Sequence, residues 1–306
     1  MAGKQVTELD TLPSFTDTSL VPVHNGAGLK KGTLTQLSNY LGTKFSNPNL
    51  LINPDFKINQ RGNTTYTKDN QGPAIYTVDR WVVWNATLNA NSMLLKAYDS
   101  GSGLLMQRLE SKINGISTVS FEVSSISGTL TALARGTSGN ILGEISVTQK
   151  GIYQFTANGE ISDITFKISA SGSVTFAWAK LEQGSIATPF VAPNPAEELV
   201  KCRRYFIRLP ASLIAYGLNT FLFVSVPEVM NMRNNITVGS IGSGSDNFIR
   251  YQGTSKKISV DVPKCEASTM NGYVKIITSP STNEADSRIV SLGFNDFFIT
   301  LDAEIY

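Results

Sequence analysis

Five short runs in one stretch alternate apolar and polar residues: "TVSFEVSS" (118–125), "GEISVT" (143–148), "GIYQFTA" (151–157), "ITFKISA" (164–170) and "SVTFAWAKLEQG" (173–184). Gly, Ser or Asn separates them at strand length. Successive side chains of a strand point to opposite faces, so a period of two is what a half-buried strand needs and what a helix cannot satisfy. No helical period competes with it between residues 47 and 193. Short antiparallel strands at this spacing, without the recurring rung of a β-helix, predict an all-β domain: a two-sheet sandwich of jelly-roll type.

The flanks read differently. Residues 1–46 hold short apolar stretches broken by Pro13 and Pro22, then a turn at Asn25-Gly26. "TLTQ" carries a capping box, Thr33 with Gln36. Leu34, Leu37 and Leu41 form one helical stripe, and Gly42 stops the helix. So few large apolar residues cannot bury a core, which implies packing on another chain or on copies of itself. After the sandwich, "ATPFVAPNPAEELVKCRRYF" changes the period. Asn194 caps, Pro195 suits the first helical position and Glu197 and Glu198 complement the positive helix end. This predicts a linker helix over 194–206, with Leu199, Cys202 and Phe206 on one face. Residues 207–306 return to β, with "FLFVSVPEVM", "NITVGSIG", "KKISVDVP", "GYVKIITS" and "FFITLDAEIY" as strands of a smaller C-terminal domain.

Composition excludes several classes. Charged residues are only 16% of the chain, and 26 basic against 24 acidic residues leave a net +2. No dense Lys/Arg stripe offers a phosphate backbone a partner, so no nucleic acid is expected. No apolar run reaches the ~20 residues a membrane span needs. The first fifteen residues lack the apolar stretch of a secretory leader. Cys202 and Cys265 show no motif spacing and read as buried free thiols.

Catalytic chemistry is thin as well. The one histidine, His24, lies in a Pro/Gly-punctuated loop, without partners for a nucleophilic triad or a zinc site. "GSIGSGSDN" lacks the lysine and hydroxyl of a phosphate-binding loop. Glycoside hydrolysis needs two facing acids about 5–10 Å apart. Asp55, Asp79, Asp99, Glu110, Glu122 and Glu182 are available, but no spacing selects a pair; Asp79 beside Arg80 reads as an internal salt bridge. The chain is expected not to be an enzyme.

Aromatic residues are the remaining chemistry. Trp81 and Trp84 are an odd number apart in "YTVDRWVVWN", so in one strand they face opposite ways, and the pattern does not settle which is inside. Trp178 shares its face with Phe176 and is expected in the core.

Four stretches together resemble phage tail-fibre and receptor-binding proteins. "VTELDTLPSFTDTSLVPVHNGAGLKKGTLTQL" looks like a virion-anchor segment, and "NLLINPDFKINQRG…YTVDRW" is similar to the opening of a carbohydrate-binding-module-like sandwich. "FAWAKLEQGSIATPFVAPNPAEELVKCRRYF" resembles its closing strand and the helix beyond, and "LDAEIY" the last strand of a small terminal β domain. They cover roughly a third of the chain in the expected order. The resemblance implies a virion fibre subunit, a homotrimer docked to other virion proteins through residues 1–46. Residues 47–193 would form the sandwich, 194–206 the linker and 207–306 the tip, binding a host cell-surface glycan. It places Trp81 in the core and leaves Trp84 outward. Trp84, Tyr98 and Tyr66 in the sandwich, and Tyr251 and Tyr273 in the tip, are the expected sugar contacts. No cofactor is required, though sandwiches of this kind sometimes hold a structural calcium, for which Asp55 and Glu182 occupy the corresponding stretches. A structural head or collar fibre without a ligand, or a virion-associated glycan hydrolase, is the alternative.

Overall fold

The computed structural model describes residues 45–209 without interruption. Before them it describes residues 16, 19–24 and 28–42, and after them residue 232, residues 303–304 and strand segments between 212 and 302. The N-terminal part is a hairpin, β1 (Leu20–His24) and β2 (Leu29–Thr33), running into helix α1 (Leu34–Gly42). The capping box forms as expected: the Gln36 backbone N–H donates to Thr33 Oγ1 at 3.1 Å, and the Thr33 N–H to Gln36 Oε1 at 2.8 Å. The apolar stripe of α1 is not buried by the described residues; Leu37, Tyr40 and Leu41 are exposed, as is Phe45 beyond it.

Two six-stranded antiparallel sheets then face each other. In chain order the strands are β3 (Thr65–Lys68), β4 (Ile75–Tyr76), β5 (Val82–Trp84), β6 (Ala86–Asn89), β7 (Leu94–Ala97), β8 (Gly103–Ile113) and β9 (Ile116–Ser127). There follow β10 (Leu130–Gly136), β11 (Ile141–Val147), β12 (Gly151–Asn158), β13 (Ile161–Ile168) and β14 (Ser173–Gln183). One sheet runs β11-β10-β13-β8-β5-β4 and the other β12-β9-β14-β7-β6-β3. The chain alternates between them, so the fold is the jelly-roll-like sandwich the period of two predicts. Its core is one cluster, with Trp81, Phe121, Phe166, Leu88, Leu95 and Leu105 fully enclosed. Ring pairs such as Phe166 and Phe176, 4.9 Å apart, join the two sheets through it.

Helix α2 (Pro195–Arg203) begins as expected, with the Asn194 side chain accepting the Ala196 N–H and Pro195 in the first turn. It ends sooner than expected. Phe206 opens strand β15 (Phe206–Leu209), and the buried face of α2 is Glu198 and Cys202. The C-terminal part contains a three-stranded sheet of β15, Ile299–Asp302 and Thr237–Ile241, and a larger antiparallel sheet that includes Ser212–Leu218, Phe221–Ser225, Tyr273–Ser279 and Arg288–Gly293. No described helix is long and apolar enough to cross a membrane.

The end of the chain is stapled to the sandwich by buried charge. Arg80 is 1% exposed; its Nη1 meets Glu304 Oε2 at 2.5 Å, its Nη2 donates to the Arg108 carbonyl, and its guanidinium lies 3.8 Å over the Tyr205 ring. Arg61 stacks 3.9 Å over Phe206 and reaches Asp79, Asp302 and Glu304. Asp79 and Arg80 are thus both ion-paired, but not with each other: consecutive residues point apart, and each finds its counter-charge on another element. Removing one partner of a buried pair typically costs 3–5 kcal/mol, because the other charge is left bare. Glu304→Ala should therefore lose about that much in chemical denaturation, while Arg80→Met combined with Glu304→Met should recover most of it. A Glu304→Ala chain as stable as wild type would mean that the staple holds nothing.

Candidate functional site

Trp81 is core: it is fully buried, its indole N–H donates to the Asn53 carbonyl at 2.9 Å, and its ring lies 4.8 Å from that of Phe56. Trp84, on the other side of β5 from the buried Val83, is half-buried and faces outward. Cross-strand register builds a surface around it. Trp84 stands opposite Leu104 on β8, and Val82 opposite Met106, followed by Thr165 on β13 and Leu133 on β10. Lys167, Arg108 and, opposite Leu133 on β11, Glu144 are exposed charges on the same face. Val82, Thr165 and Leu133 are nearly buried, so Trp84, Leu104 and Met106, all half-buried, are what this row offers at the surface.

The other expected contacts do not join it. Tyr98, 51% exposed, lies just beyond β7 in the opposite sheet, its backbone N–H on the Asn85 carbonyl. Tyr66 is only 5% exposed and offers no ring face to a ligand. It sits on the inner side of β3, where its hydroxyl donates to Asn59 Oδ1 at 2.6 Å. The side chains of Tyr251 and Tyr273 lie outside the described residues, as does Cys265; Cys202 is a buried free thiol.

Trp178 departs from its expected place. A β-bulge in β14 between Phe176 and Trp178 inserts one residue and reverses the alternation. Phe176 points into the core and Trp178 out of it. There Trp178 stacks face to face on Phe190 at 4.6 Å and donates to Glu122 at 2.6 Å.

Asp55 and Glu182 are not brought together, and no group of metal-ligating side chains exists among the described residues. Asp55 pairs with Lys57 at 3.0 Å. Glu182 is fully buried and already satisfied, accepting from the Thr188 N–H and hydroxyl. Beside it the Lys180 ammonium sits among oxygens of Ser46, Thr188, Pro189 and Glu182, at 2.6–3.3 Å. Ser46 and Asn47, which bonds Thr188 Oγ1, therefore belong to the sandwich and not to the preceding segment.

The remaining acids are equally committed. Asp99 accepts from Asn85 and Gly101, Glu110 from Arg204 and Tyr205, and Asp79 from the backbone and side chain of Gln60. Burial pushes the Asp79 carboxyl up to about 6. The folded chain thus keeps a proton that the unfolded chain, with an ordinary carboxyl near 4, has released. Asp79 stabilises the fold fully below about pH 4, and that stability is lost as pH rises through about 6. Burial raises Glu304 in the same direction. Asp79→Asn mimics the protonated form. Its stability relative to wild type should therefore rise by about 2–3 kcal/mol between pH 4 and pH 7. Denaturation at both pH values checks this; a difference that does not change with pH would show that the buried carboxyl does not titrate there.

A half-open cleft lies at one edge of the sandwich. This cavity of about 410 Å³ opens where the 55–59 loop meets the 90–93 turn, over Phe56, Met93 and Phe176.

No protein-family model matches the sequence, and no curated protein matches it. Solved structures with a distant likeness include an arabinose-bound α-L-arabinofuranosidase, MgGH51, at 17% identity over 47% of this chain (TM-score 0.27). Others are the enzymatically active domain of bacteriophage CBA120 tailspike protein 4, at 12% over 44% (0.27), and the apo BiXyn10A CBM1 module, at 14% over 43% (0.28). The chain spans 28% of the first, 21% of the second and 99% of the third. Likenesses at this level carry no argument about function.

Proposed function

We propose that the chain is a virion fibre subunit that attaches the particle to a host-surface glycan, binding it without chemical turnover. The observation that carries the reading is the outward Trp84 with its register neighbours: an indole on a rigid strand, beside Leu104 and above the Val82–Met106 row. Such a ring covers the C–H face of a sugar, and neighbouring polar groups read its hydroxyls. The committed state of the acids favours binding over hydrolysis. Asp55, Asp79, Asp99, Glu110, Glu122 and Glu182 each have an ion-pair or hydrogen-bond partner, and no two of them bond each other. A single site is weak, and copies in a homotrimer multiply it.

The exposed α1 stripe supports docking of the N-terminal segment on another chain of the particle. The sandwich makes its own bonds from Ser46 onward, so deleting residues 1–44 should leave it folded while the protein disappears from virions. Full-length protein should scatter light as a trimer; a monomer in dilute buffer would count against the fibre.

Trp84→Ala tests the binding face. With an unchanged melting temperature, it should weaken glycan affinity by about 1–3 kcal/mol, as loss of a central aromatic does. Adsorption to host cells should fall further, because avidity compounds the deficit. A stable variant that adsorbs normally would remove Trp84 from the binding face.

A further inference from the structure

The cavity above Phe56 is built by three departures from regular structure, and they converge on it. The β14 bulge leaves Ala177 unpaired in its wall. Phe56 and Met93 both hold left-handed backbone, with φ of 60° and 53°. For bulky residues that conformation costs on the order of 1–2 kcal/mol each, and it persists only where the surroundings enforce it. Here they do. The Phe56 N–H bonds the Asn53 carbonyl, the Ala179 N–H the Pro54 carbonyl, and the Phe176 N–H the Met93 carbonyl. Both rims thus hang from one interior strand, and the cavity is preformed. Bulges and strained residues gather at ligand sites for this reason: they aim groups that regular strands would turn away.

Its chemistry is specific. Its lining includes Phe56, Phe176 and Met93, nearly buried at 2%, 3% and 7% exposure, which make the base apolar. Around it stand the Asp55 carboxylate, the Asn91 amide and the Ser92 hydroxyl. Asp55 is nearly buried, at 9% side-chain exposure, and its ion partner Lys57 is 67% exposed, so solvent competes for the lysine while the carboxylate stays at the cavity. The Asn91 side chain is committed to no other group, and the Ser92 hydroxyl already donates to Asn89, leaving an acceptor lone pair. The Asp55–Lys57 pair balances, so no net charge favours an ion. Hydroxyl donors suit the carboxylate, hydroxyl acceptors suit the amide and the ammonium, and C–H groups suit the base. At about 410 Å³ the volume lies within the range of small-molecule sites.

We infer that this cavity takes the terminal residue of a neutral saccharide, with Asp55 and Asn91 as its polar contacts. The inference rests on the glycan-attachment reading, and adds a pocket for a chain end to the face around Trp84.

The test uses the full-length chain with methyl glycosides of glucose, galactose, mannose and N-acetylglucosamine, followed by saturation-transfer NMR and titration calorimetry. Asp55→Asn should weaken the bound glycoside at least tenfold, and Asn91→Trp should abolish its binding by filling the mouth. Ser92→Tyr blocks the same mouth should Asn91→Trp fail to fold. If a glycoside binds wild type and both blocked variants equally, the pocket is wrong and the attachment reading stands. If wild type binds no glycoside while the protein still adsorbs to cells, the pocket is likewise wrong. If it neither binds nor adsorbs, both fall together.

Discussion

Asn53 ties the loop that opens the sandwich to Trp81 and to helix α2. The residue is fully buried in left-handed backbone, with φ of 54°. Its side-chain N–H groups donate to the carbonyls of Ile58 and Asp79, and its oxygen accepts the Ile58 N–H. Its backbone N–H donates to Glu198 of α2 at 2.6 Å, and its carbonyl accepts the Trp81 indole. Glycine would adopt the backbone but lose three bonds, and aspartate would lose both donors, whereas asparagine tolerates the conformation and supplies both roles. From this one residue follow the path of the 54–60 loop, the seat of Trp81 and the docking of α2. The "NPDF" and "DRW" stretches are therefore bound to each other, and their first role is structural.

That explains how much could be read in advance. Period-two runs gave away β9, β11, β12, β13 and β14, and side-chain oxygens near helix starts marked α1 and α2, because both signals are local. β8 was hidden: "GLLMQRLESKI" is rich in good helix formers, and only its neighbours β13 and β5 in the sheet make it a strand. Trp178 misled because one inserted residue reverses every later side chain in its strand, and nothing in "TFAWAK" announces the bulge. Glu198 looked like a charge serving the helix dipole, but its main partner lies 145 residues away. The counter-charges of Asp79 and Arg80 are distant in the same way, and adjacency was a poor guide to them. Tyr66 had an exposed-looking context in "TTYTK", yet its strand turns it inward.

The cavity was the least legible feature, since its parts are scattered. Phe176 read as core through its pairing with Trp178, while Phe56, Asn91 and Ser92 carried no signal of their own. Only the bulge and two strained residues bring them to one opening. Asp55 was singled out as a calcium ligand; in the structure its partner is Lys57, and no metal-ligating group forms around it among the described residues.

Glu182, the other expected calcium ligand, serves a different cation. On the outer side of β14, Lys180 supplies a cation from within the chain, and Glu182, two residues on and facing the same way, neutralises it. Burial lowers the pKa of that ammonium, and the nearby carboxylate opposes the shift. The ion pair gathers Ser46, Thr188 and Pro189, and Phe190 stacks on Trp178 beyond it. The segment after β14 is thereby clamped over its own sheet, so that Thr118, Ser120, Lys180 and Glu182 are buried on a side that would otherwise meet water. The cover is partial: Ile152, Gln154 and Thr156 on β12, and Leu94 and Lys96 on β7, stay exposed on the same outer face. The clamp thus fixes the segment after β14 at the middle of its sheet, over β9 and β14, and leaves both edges of that face open.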